Sequence, residues 1–241
     1  MKHNRQGTGE LTELYLENGL TGGRLLCNRT LIPAAGQYVL AYDPASNAPL
    51  PVPIFSAGPV PGGFLIAPPI PQTWQPGMML SLRGPLGRGF SLPISARRVA
   101  LISFGETAAR LNPLLTVAMG QDASVVLVSN LNLSDLPPEV EIQPVSALAD
   151  VAQWADYLAL DLPRESLIGL REKLGFGEHR PRREHVGARW QARVKIEAQV
   201  LVTTSMPCSG MAECGVCAVT VRHGWKMTCK DGPVFSLIEL V

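Results

Sequence analysis

Between Met206 and Phe235 the chain reads M-P-C-S-G-M-A-E-C-G-V-C-A-V-T-V-R-H-G-W-K-M-T-C-K-D-G-P-V-F, and this segment holds four of its five cysteines. They are Cys208, Cys214, Cys217 and Cys229, with the spacing C-x5-C-x2-C-x11-C. A ferredoxin-type [2Fe–2S] cluster takes three thiolates from one tight loop and a fourth from a returning strand. The spacing therefore predicts these four cysteines as ligands of a [2Fe–2S] cluster, in a small module over residues 201–241.

The residues around the cysteines fit such a loop. Gly210 and Gly215 allow the backbone to wrap closely, so that N–H groups can reach the negatively charged cluster sulfurs. The apolar alternation after Cys217 predicts a strand that leads away from the loop. His223-Gly224 is typical of a hairpin turn and would bring Cys229 back towards the other three cysteines.

Clustered cysteines have two other common uses in proteins. A zinc ribbon also binds its metal through four cysteines, but usually as two C-x2-C pairs, and only one such pair is present. A disulfide framework is typical of small secreted domains, whereas this chain has five cysteines in 241 residues. A colourless zinc-bound scaffold remains the alternative to the iron–sulfur cluster.

Composition excludes several functional classes. The hydrophobic fraction of 46% is that of a globular protein, and the formal net charge of +1 gives no reason to expect nucleic acid or an anionic membrane as partner. No run of about 18 apolar residues predicts a membrane span. The first ten residues are polar and lack an apolar segment, so we expect a cytoplasmic protein with a loose beginning.

The first part of the chain, residues 1–96, is rich in proline and glycine and carries short apolar runs. Strands are predicted at 36–42, 52–56, 63–67 and 78–82. Several short strands with turns between them are typical of an antiparallel barrel or sandwich. Cys27 falls in this part and is interpreted as a small core residue.

Residues 97–200 show a different pattern, in which strands and helices alternate. Strands are predicted at 99–103, 124–128 and 156–160, and helices at 107–119, 146–154 and 164–174. Such alternation predicts a Rossmann-like parallel sheet with helices on its faces. The fold class is therefore a β-barrel plus an α/β domain, followed by the small C-terminal cluster module.

A glycine-rich loop, Arg83-Gly-Pro-Leu-Gly-Arg-Gly-Phe90, follows the last predicted barrel strand. Its N–H groups and two cations could hold a pyrophosphate or the edge of an isoalloxazine ring. A simple tight turn is the alternative interpretation.

Three segments resemble one known family: C-G-V-C…C-K-D-G-P-V-F at the C-terminal end, G-P-L-G-x-G-F at 84–90, and P-A-A-G-Q-Y-V at 33–39. They resemble the electron-transfer subunit of NAD-linked dihydroorotate dehydrogenases, which is one of the ferredoxin-reductase-like flavoproteins. The usual cluster loop of that family is C-x4-C-x2-C, so this chain has one extra residue between Cys208 and Cys214. The resemblance implies an FAD-binding barrel, a pyridine-nucleotide domain and a cluster module.

The same resemblance implies which residues contact FAD: Phe55, Ser56, Gly84, Pro85, Leu86 and Gly87. The flavin motif of the family is R-P-x-S or R-x-Y/F-S, and its arginine pairs with the FAD pyrophosphate. Here the matching segment is Pro53-Ile54-Phe55-Ser56, so the arginine is replaced by proline. Losing such a bidentate contact weakens phosphate binding. Arg83 or Arg88 is the expected substitute cation.

The nucleotide fingerprint of the family, G-G-G-x-G-x-A-P, is largely missing. The matching turn, Ser103–Pro113, reads S-F-G-E-T-A-A-R-L-N-P and keeps one glycine, while Glu106 puts negative charge where a phosphate would bind. The C-G-P segment that the family carries near the nicotinamide has no counterpart before Cys208. We therefore expect weak or absent NAD(P)H binding, with Gly105 in an ordinary strand-to-helix turn.

Two functions follow. In the first, the chain is an electron-transfer subunit in which FAD and a [2Fe–2S] cluster exchange electrons with a partner oxidoreductase. The resemblance implies an FMN-containing dihydroorotate dehydrogenase catalytic subunit of pyrimidine biosynthesis as that partner, in a hetero-oligomer. In the second, it is a non-catalytic assembly or relay subunit with empty nucleotide sites. The basic stretch 179–195 is either a solvated loop or a docking surface for an acidic partner.

Overall fold

The computed structural model describes residues 5–46, 50–133, 136–170, 174 and 197–240. These residues form a closed barrel, a six-stranded sheet and a two-stranded hairpin. The basic stretch 179–195 lies outside the described residues.

The barrel is antiparallel and has six strands. They are β1 (Arg5–Glu17), β2 (Leu20–Cys27), β3 (Tyr38–Tyr42), β4 (Val52–Val60), β5 (Gly63–Ile66) and β6 (Met79–Leu86). Their order is β1-β2-β5-β4-β3-β6, and β6 pairs with β1 to close the barrel. Leu11, Leu25, Phe64, Ile66 and Leu80 are fully buried inside it. The barrel predicted from the proline-rich first part of the chain is confirmed.

The expectation of a loose N-terminal segment is wrong from Arg5 onward. β1 pairs with β6 from Arg5↔Gly84 to Glu10↔Met79, and with β2 from Gly9 to Glu17. Most of its side chains are polar and exposed, with only Gly9 and Leu11 buried. The hydrogen-bonded ladder on both sides, rather than an apolar side-chain pattern, makes this segment a strand.

The second sheet is mostly parallel. It contains β7 (Arg98–Ser103), β8 (Ser124–Val128), β9 (Glu141–Gln143), β10 (Tyr157–Pro163) and β11 (Glu197–Thr203), in the order β11-β10-β7-β8-β9. Helix α1 (Asn112–Gly120) buries Leu114 and Leu115 in one hydrophobic cluster, while α2 (Leu148–Trp154) buries Leu148 and Val151 in a separate one. The Rossmann-like sheet predicted from the alternating pattern is confirmed.

Two predicted helices differ from the structure. The helix expected at 107–119 begins only at Asn112, after a 3-10 turn at Ala109–Leu111. The helix expected at 164–174 is wrong over 164–169, where a 3-10 turn, Arg164–Leu167, ends at an extended Ile168 and at Gly169 with φ of 83°. Leu170 is helical, and its carbonyl accepts from the N–H of Leu174 over 3.0 Å. Residues 171–173 lie outside the described part. None of the described helices is long and apolar enough to cross a membrane.

The C-terminal part contains the hairpin β12 (Ala218–Val221) and β13 (Gly224–Met227), the one-turn helix α3 (Thr228–Asp231), strand β14 (Val234–Ser236) and helix α4 (Leu237–Leu240). β14 pairs antiparallel with β11 and forms the outer strand of the second sheet. The boundaries expected at residues 96 and 200 remain predictions. β11 continues past residue 200 to Thr203, so the cluster loop begins directly at the end of a sheet strand.

Candidate cluster and cofactor site

The loop between β11 and β12, residues 204–217, has an unusual backbone. Four of its residues have positive φ: Ser209 at 56°, Gly210 at 72°, Ala212 at 62° and Gly215 at 73°. For Ser209 and Ala212 this conformation is unfavourable, and such residues cluster at functional sites. Left-handed residues within a turn point successive N–H groups into one concavity, a geometry that binds phosphates and iron–sulfur clusters.

The structure brings the four predicted cysteines together as two pairs. Cys217, at the end of the loop, and Cys229, in α3, are 1% and 6% exposed, and their Sγ atoms lie 3.3 Å apart. Cys208 is half-buried and Cys214 is exposed, and their side chains are hydrogen-bonded to each other. The predicted hairpin returns Cys229 to the loop, and the backbone N–H of Thr228 donates to the carbonyl of Cys217 over 3.0 Å.

Cys208 and Cys229, one from each pair, have pKa values shifted in opposite directions. Hydrogen bonding to the backbone of Glu213, followed by that of Cys214, lowers the pKa of Cys208 to about 6. Burial, followed by the neighbouring Cys217, raises the pKa of Cys229 to about 12. Because metals bind the thiolate form, the amides around Cys208 favour the state that a cluster ligand needs.

This donor set fits a binuclear cluster. A [2Fe–2S] cluster shares its four thiolates between two irons, which is the arrangement that two thiol pairs provide. A structural zinc site needs all four thiolates around one ion. Cys208, Cys214, Cys217 and Cys229 are therefore the residues that would hold the cluster.

Two side chains of the barrel reach this loop. The hydroxyl of the fully buried Tyr38 donates to the carbonyl of Cys229 over 3.1 Å, and Nη2 of Arg83 donates to the carbonyl of Ser209. A Cβ atom on Gly210 would lie 3.2 Å from the Tyr38 hydroxyl and 3.5 Å from Arg83 Nη2. Gly210 thus allows the cluster loop to pack closely against the barrel. The sequence predicted that this glycine would bring the backbone close to the cluster sulfurs.

A cleft of about 620 Å³ separates β4 of the barrel from the carboxyl ends of β7, β10 and β11. Its lining includes Pro53, Phe55, Phe104, Glu106, Arg110 and Thr203. The volume is in the range of small-molecule and cofactor pockets. Open parallel sheets bind their ligands at this edge, outside the carboxyl ends of the strands.

The six residues expected to contact FAD do not all line this cleft. Phe55 lies in its wall, and the adjacent Ser56 is buried with its hydroxyl accepting a hydrogen bond from the N–H of Gly58. The other four, Gly84, Pro85, Leu86 and Gly87, lie at the end of β6 and just beyond it, outside the cleft lining. A Cβ atom on Gly87 would come within 2.8 Å of the carbonyl oxygen of Gly232, so this glycine allows the barrel to contact the cluster module.

The expected substitute cations, Arg83 and Arg88, are not among the residues that line the cleft, whereas Arg110 is. Arg110 Nε lies 2.9 Å from a carboxylate oxygen of the fully buried Asp161, and Nη1 donates to the carbonyl of Pro68 over 3.4 Å. Burial raises the pKa of Asp161, and the guanidinium opposes this shift. Sequence reasoning missed this pair, although an aspartate inside the apolar strand Y-L-A-L-D-L-P was a signal for it.

The turn after β7 is docked onto the barrel. The hydroxyl of Thr107 lies 2.7 Å from a carboxylate oxygen of Glu17 at the end of β1, and the hydroxyl of Ser103 donates to the carbonyl of Thr107 over 2.8 Å. Residues 107–111 are all buried. The N–H groups of Ala109 and Leu111 are bound to Thr107 and Ala108 within the turn, and the exposed Glu106 brings a negative charge to the cleft.

The barrel, the parallel sheet and the C-terminal module together form a ferredoxin-reductase-like fold, as solved structures show. An NADH-dependent reduced ferredoxin-NADP oxidoreductase, from work on flavin-based electron bifurcation, matches over 96% of this chain and 88% of its own, with a TM-score of 0.71 and 18% identity. The cytochrome P450 reductase of Amycolatopsis matches over 76% and 69%, with a TM-score of 0.58 and 19% identity. The ferredoxin reductase of carbazole 1,9a-dioxygenase, in its FAD apo form, matches over 74% and 65%, with a TM-score of 0.57 and 17% identity.

The C-terminal module has a family assignment of its own. Residues 204–241 match the iron-sulfur cluster binding domain of dihydroorotate dehydrogenase B. The resemblance found in the sequence and the predicted fold class are confirmed. The match also supports the iron–sulfur cluster expected from the sequence.

Proposed function

We propose that this chain is an electron-transfer subunit that carries a [2Fe–2S] cluster on Cys208, Cys214, Cys217 and Cys229 and FAD in the cleft beside Phe55. The observation that carries the proposal is the pairing of four thiols around a loop with four positive-φ residues, within a segment that matches a cluster-binding family. When bound, FAD and the cluster together would couple two-electron to one-electron chemistry.

The two ends of the thiol site differ in their access to water. Cys217 and Cys229 lie in an apolar cluster that limits the access of water to this end of the site; it also contains Tyr38, Leu201, Met206 and Val234. The exposed Cys214 is at the other end. The protein thus keeps one side of the site dry and leaves the other open to solvent.

A pair of aromatic side chains joins the cleft to the cluster loop. The ring of Phe55, in the cleft wall, lies 6.0 Å from the ring of Tyr38, centroid to centroid. Tyr38 in turn bonds to the backbone of Cys229. A flavin held against Phe55 would therefore be separated from the cluster ligands by packed protein rather than by bulk water.

The contact of residues 103–113 with the barrel supports weak or absent NAD(P)H binding. The glycines that let a backbone approach a pyrophosphate are missing, and the hydroxyl of Thr107 is bound to Glu17. In this proposal electrons reach the chain from another protein rather than from NAD(P)H.

The proposed partner is the catalytic subunit of a dihydroorotate dehydrogenase-like enzyme, with FMN, in a hetero-oligomer of pyrimidine biosynthesis in the cytoplasm. The name of the family that matches residues 204–241 supports this partner. The surface that we assign to it is the loop around the exposed Cys214, where Met211 and Val216 are 56% and 46% exposed. Exposed apolar side chains grouped in this way are typical of protein interaction sites.

The test is the visible absorption spectrum of protein purified without oxygen, recorded before and after acid release of small molecules. We expect flavin bands over broad cluster absorption, with FAD in the supernatant. A colourless protein that contains zinc would overturn the proposal.

A second candidate function is a relay or assembly subunit with an empty cleft. Two observations favour it: Pro53 stands where an arginine is expected, and the charge of Arg110 is already neutralised by Asp161. In the same experiment, cluster absorption without released flavin would select this alternative.

A further inference from the structure

Arg83 holds a position that the flavin assignment does not use. It lies on β6, and its guanidinium reaches out of the barrel to the loop that carries Cys208, where Nη2 donates to the carbonyl of Ser209. The same Nη2 would be 3.5 Å from a Cβ on Gly210. The guanidinium of Arg83 is thus in contact with the backbone that immediately follows the first predicted ligand.

The charge of Arg83 has no carboxylate partner among the described ion pairs, which join Arg24 to Glu13, Arg98 to Asp156, Arg110 to Asp161 and Lys226 to Glu239. Its Nε is buried and has no hydrogen-bond partner within the described residues. A partly buried cation without a counter-charge is costly, because it loses hydration and gains no opposite charge. This arrangement therefore favours a negative group near the 208–210 backbone.

We propose that Arg83 is the counter-charge of the iron–sulfur cluster and raises its reduction potential. The inference rests on the proposed function, since it requires the cluster to be present. A [2Fe–2S] cluster with four thiolates is an anion, and reduction adds one further negative charge. A fixed cation close by stabilises the reduced state more than the oxidised state, and the potential rises.

A pocket beside Arg83 moderates the effect. It has a volume of about 360 Å³ and is lined by Gln6, Tyr42, Ser81, Arg83 and Ser209 among others. Water in such a pocket screens a charge in part, so we expect a moderate effect rather than that of a fully buried ion. On this basis we expect Arg83 to raise the ratio of reduced to oxidised cluster, measured at one fixed solution potential, on the order of tenfold. For a one-electron couple this corresponds to about 59 mV in the reduction potential.

The experiment is a redox titration of the purified chain, followed by the electron paramagnetic resonance signal of the reduced cluster. Three forms are compared: wild type, Arg83→Gln and Arg83→Lys. We expect Arg83→Gln to lower the ratio of reduced to oxidised cluster about tenfold at a fixed poise, because it removes the charge. Arg83→Lys keeps the charge and should remain close to wild type.

The matched control is Arg24→Gln. Arg24 is also a barrel arginine with a buried, unpartnered Nε, but it lies on β2 and pairs with Glu13. β1 separates β2 from β6 in the barrel order, and the cluster loop contacts β6 instead. The potential of Arg24→Gln should equal that of wild type.

Each outcome of the titration either supports or overturns the inference about Arg83. An unchanged potential in Arg83→Gln overturns the inference and leaves the proposed function intact, because the cluster is still present. Loss of the cluster in Arg83→Gln but not in Arg83→Lys supports a counter-charge, whereas loss in both overturns it, since the shape of the guanidinium and not its charge would then be required. A wild-type chain without any cluster signal refutes the proposed function and this inference with it.

Discussion

At the scale of single residues, the buried pair of Arg110 and Asp161 links three parts of the molecule. Asp161 lies inside β10, Arg110 lies just before α1, and the carbonyl that Arg110 also contacts belongs to Pro68, in the barrel segment between β5 and β6. Buried ion pairs contribute little net stability, but breaking one leaves a charge without a partner. The pair is thus a point at which the docking of the two domains can be tested.

The substitution Arg110→Met should lower the free energy of unfolding by about 3–5 kcal/mol, because Asp161 is then buried without its partner. The pKa of Asp161 is already raised by burial and would rise further. A carboxyl whose folded pKa exceeds its unfolded value, about 3.9, loses stability as the pH rises between the two. The deficit should therefore be small near pH 4 and grow towards neutral pH, as measured by urea denaturation at several pH values.

The control for this prediction is Arg98→Met. Arg98 pairs with Asp156 at 3.8 Å, and their side chains are 53% and 32% exposed, far more than those of Arg110 and Asp161. Exposed pairs are worth about 0–1 kcal/mol, so a loss as large as that of Arg110→Met would show that the method does not report burial. An Arg110→Met deficit that is independent of pH would contradict the assignment to Asp161.

The cysteines give a second prediction at this scale. Cys217→Ser should abolish the visible absorption and the paramagnetic signal of the cluster, since Cys217 belongs to the buried pair with its Sγ 3.3 Å from that of Cys229. Cys27→Ser is the matched control, because Cys27 lies on β2 in the barrel. Retention of the full signal in Cys217→Ser would show that our set of ligands is wrong.

At the scale of elements, the sequence predicted those strands that carry continuous apolar runs, such as β7 and β8. It missed β1, because that strand is set by backbone pairing on two sides and its side chains are mostly polar. It predicted a helix at 164–174, but this segment starts with the 3-10 turn Arg164–Leu167, and the helical bond, from the N–H of Leu174 to the carbonyl of Leu170, occurs only at its end. Local patterns do not distinguish burial on a helix face from burial in an irregular segment.

The correction of β1 can be checked by hydrogen exchange. Amides of residues 5–10 that pair with β6 should exchange much more slowly than those of the turn at Asn18-Gly19, because opening them requires opening the barrel. Exchange of residues 5–10 at the rate of an unstructured chain would restore the original expectation of a loose segment.

At the scale of the whole molecule, the contacts that build the site span most of the chain. The bond from Tyr38 to Cys229 joins residues 191 positions apart, and the bond from Arg83 to Ser209 joins residues 126 apart. The sequence identified the cysteines because their spacing is local. It did not identify Tyr38 or Arg110, whose roles depend on which strands the fold brings together.

The contact of the turn after β7 with the barrel leads to a prediction about reduction by NADH. NADH should reduce the isolated, cofactor-loaded chain slowly, since residues 107–111 are buried and Thr107 is bound to Glu17. The measurement is bleaching of the visible absorption after mixing with NADH, with dithionite as the control that confirms a reducible chromophore. Rapid bleaching by NADH would contradict our interpretation of this turn.

The pairing of β14 with β11 has a mechanical consequence. The chain leaves the sheet at Thr203, forms the cluster loop and hairpin, and returns to the neighbouring position at Val234. Both ends of the module are thus joined to neighbouring strands of the same sheet, unlike a carrier domain that is attached by a flexible linker. Under the proposed function, the module would not swing between a donor and an acceptor. A partner would have to dock against the cluster loop in its present position, and the shape of that partner would set the distance over which electrons travel.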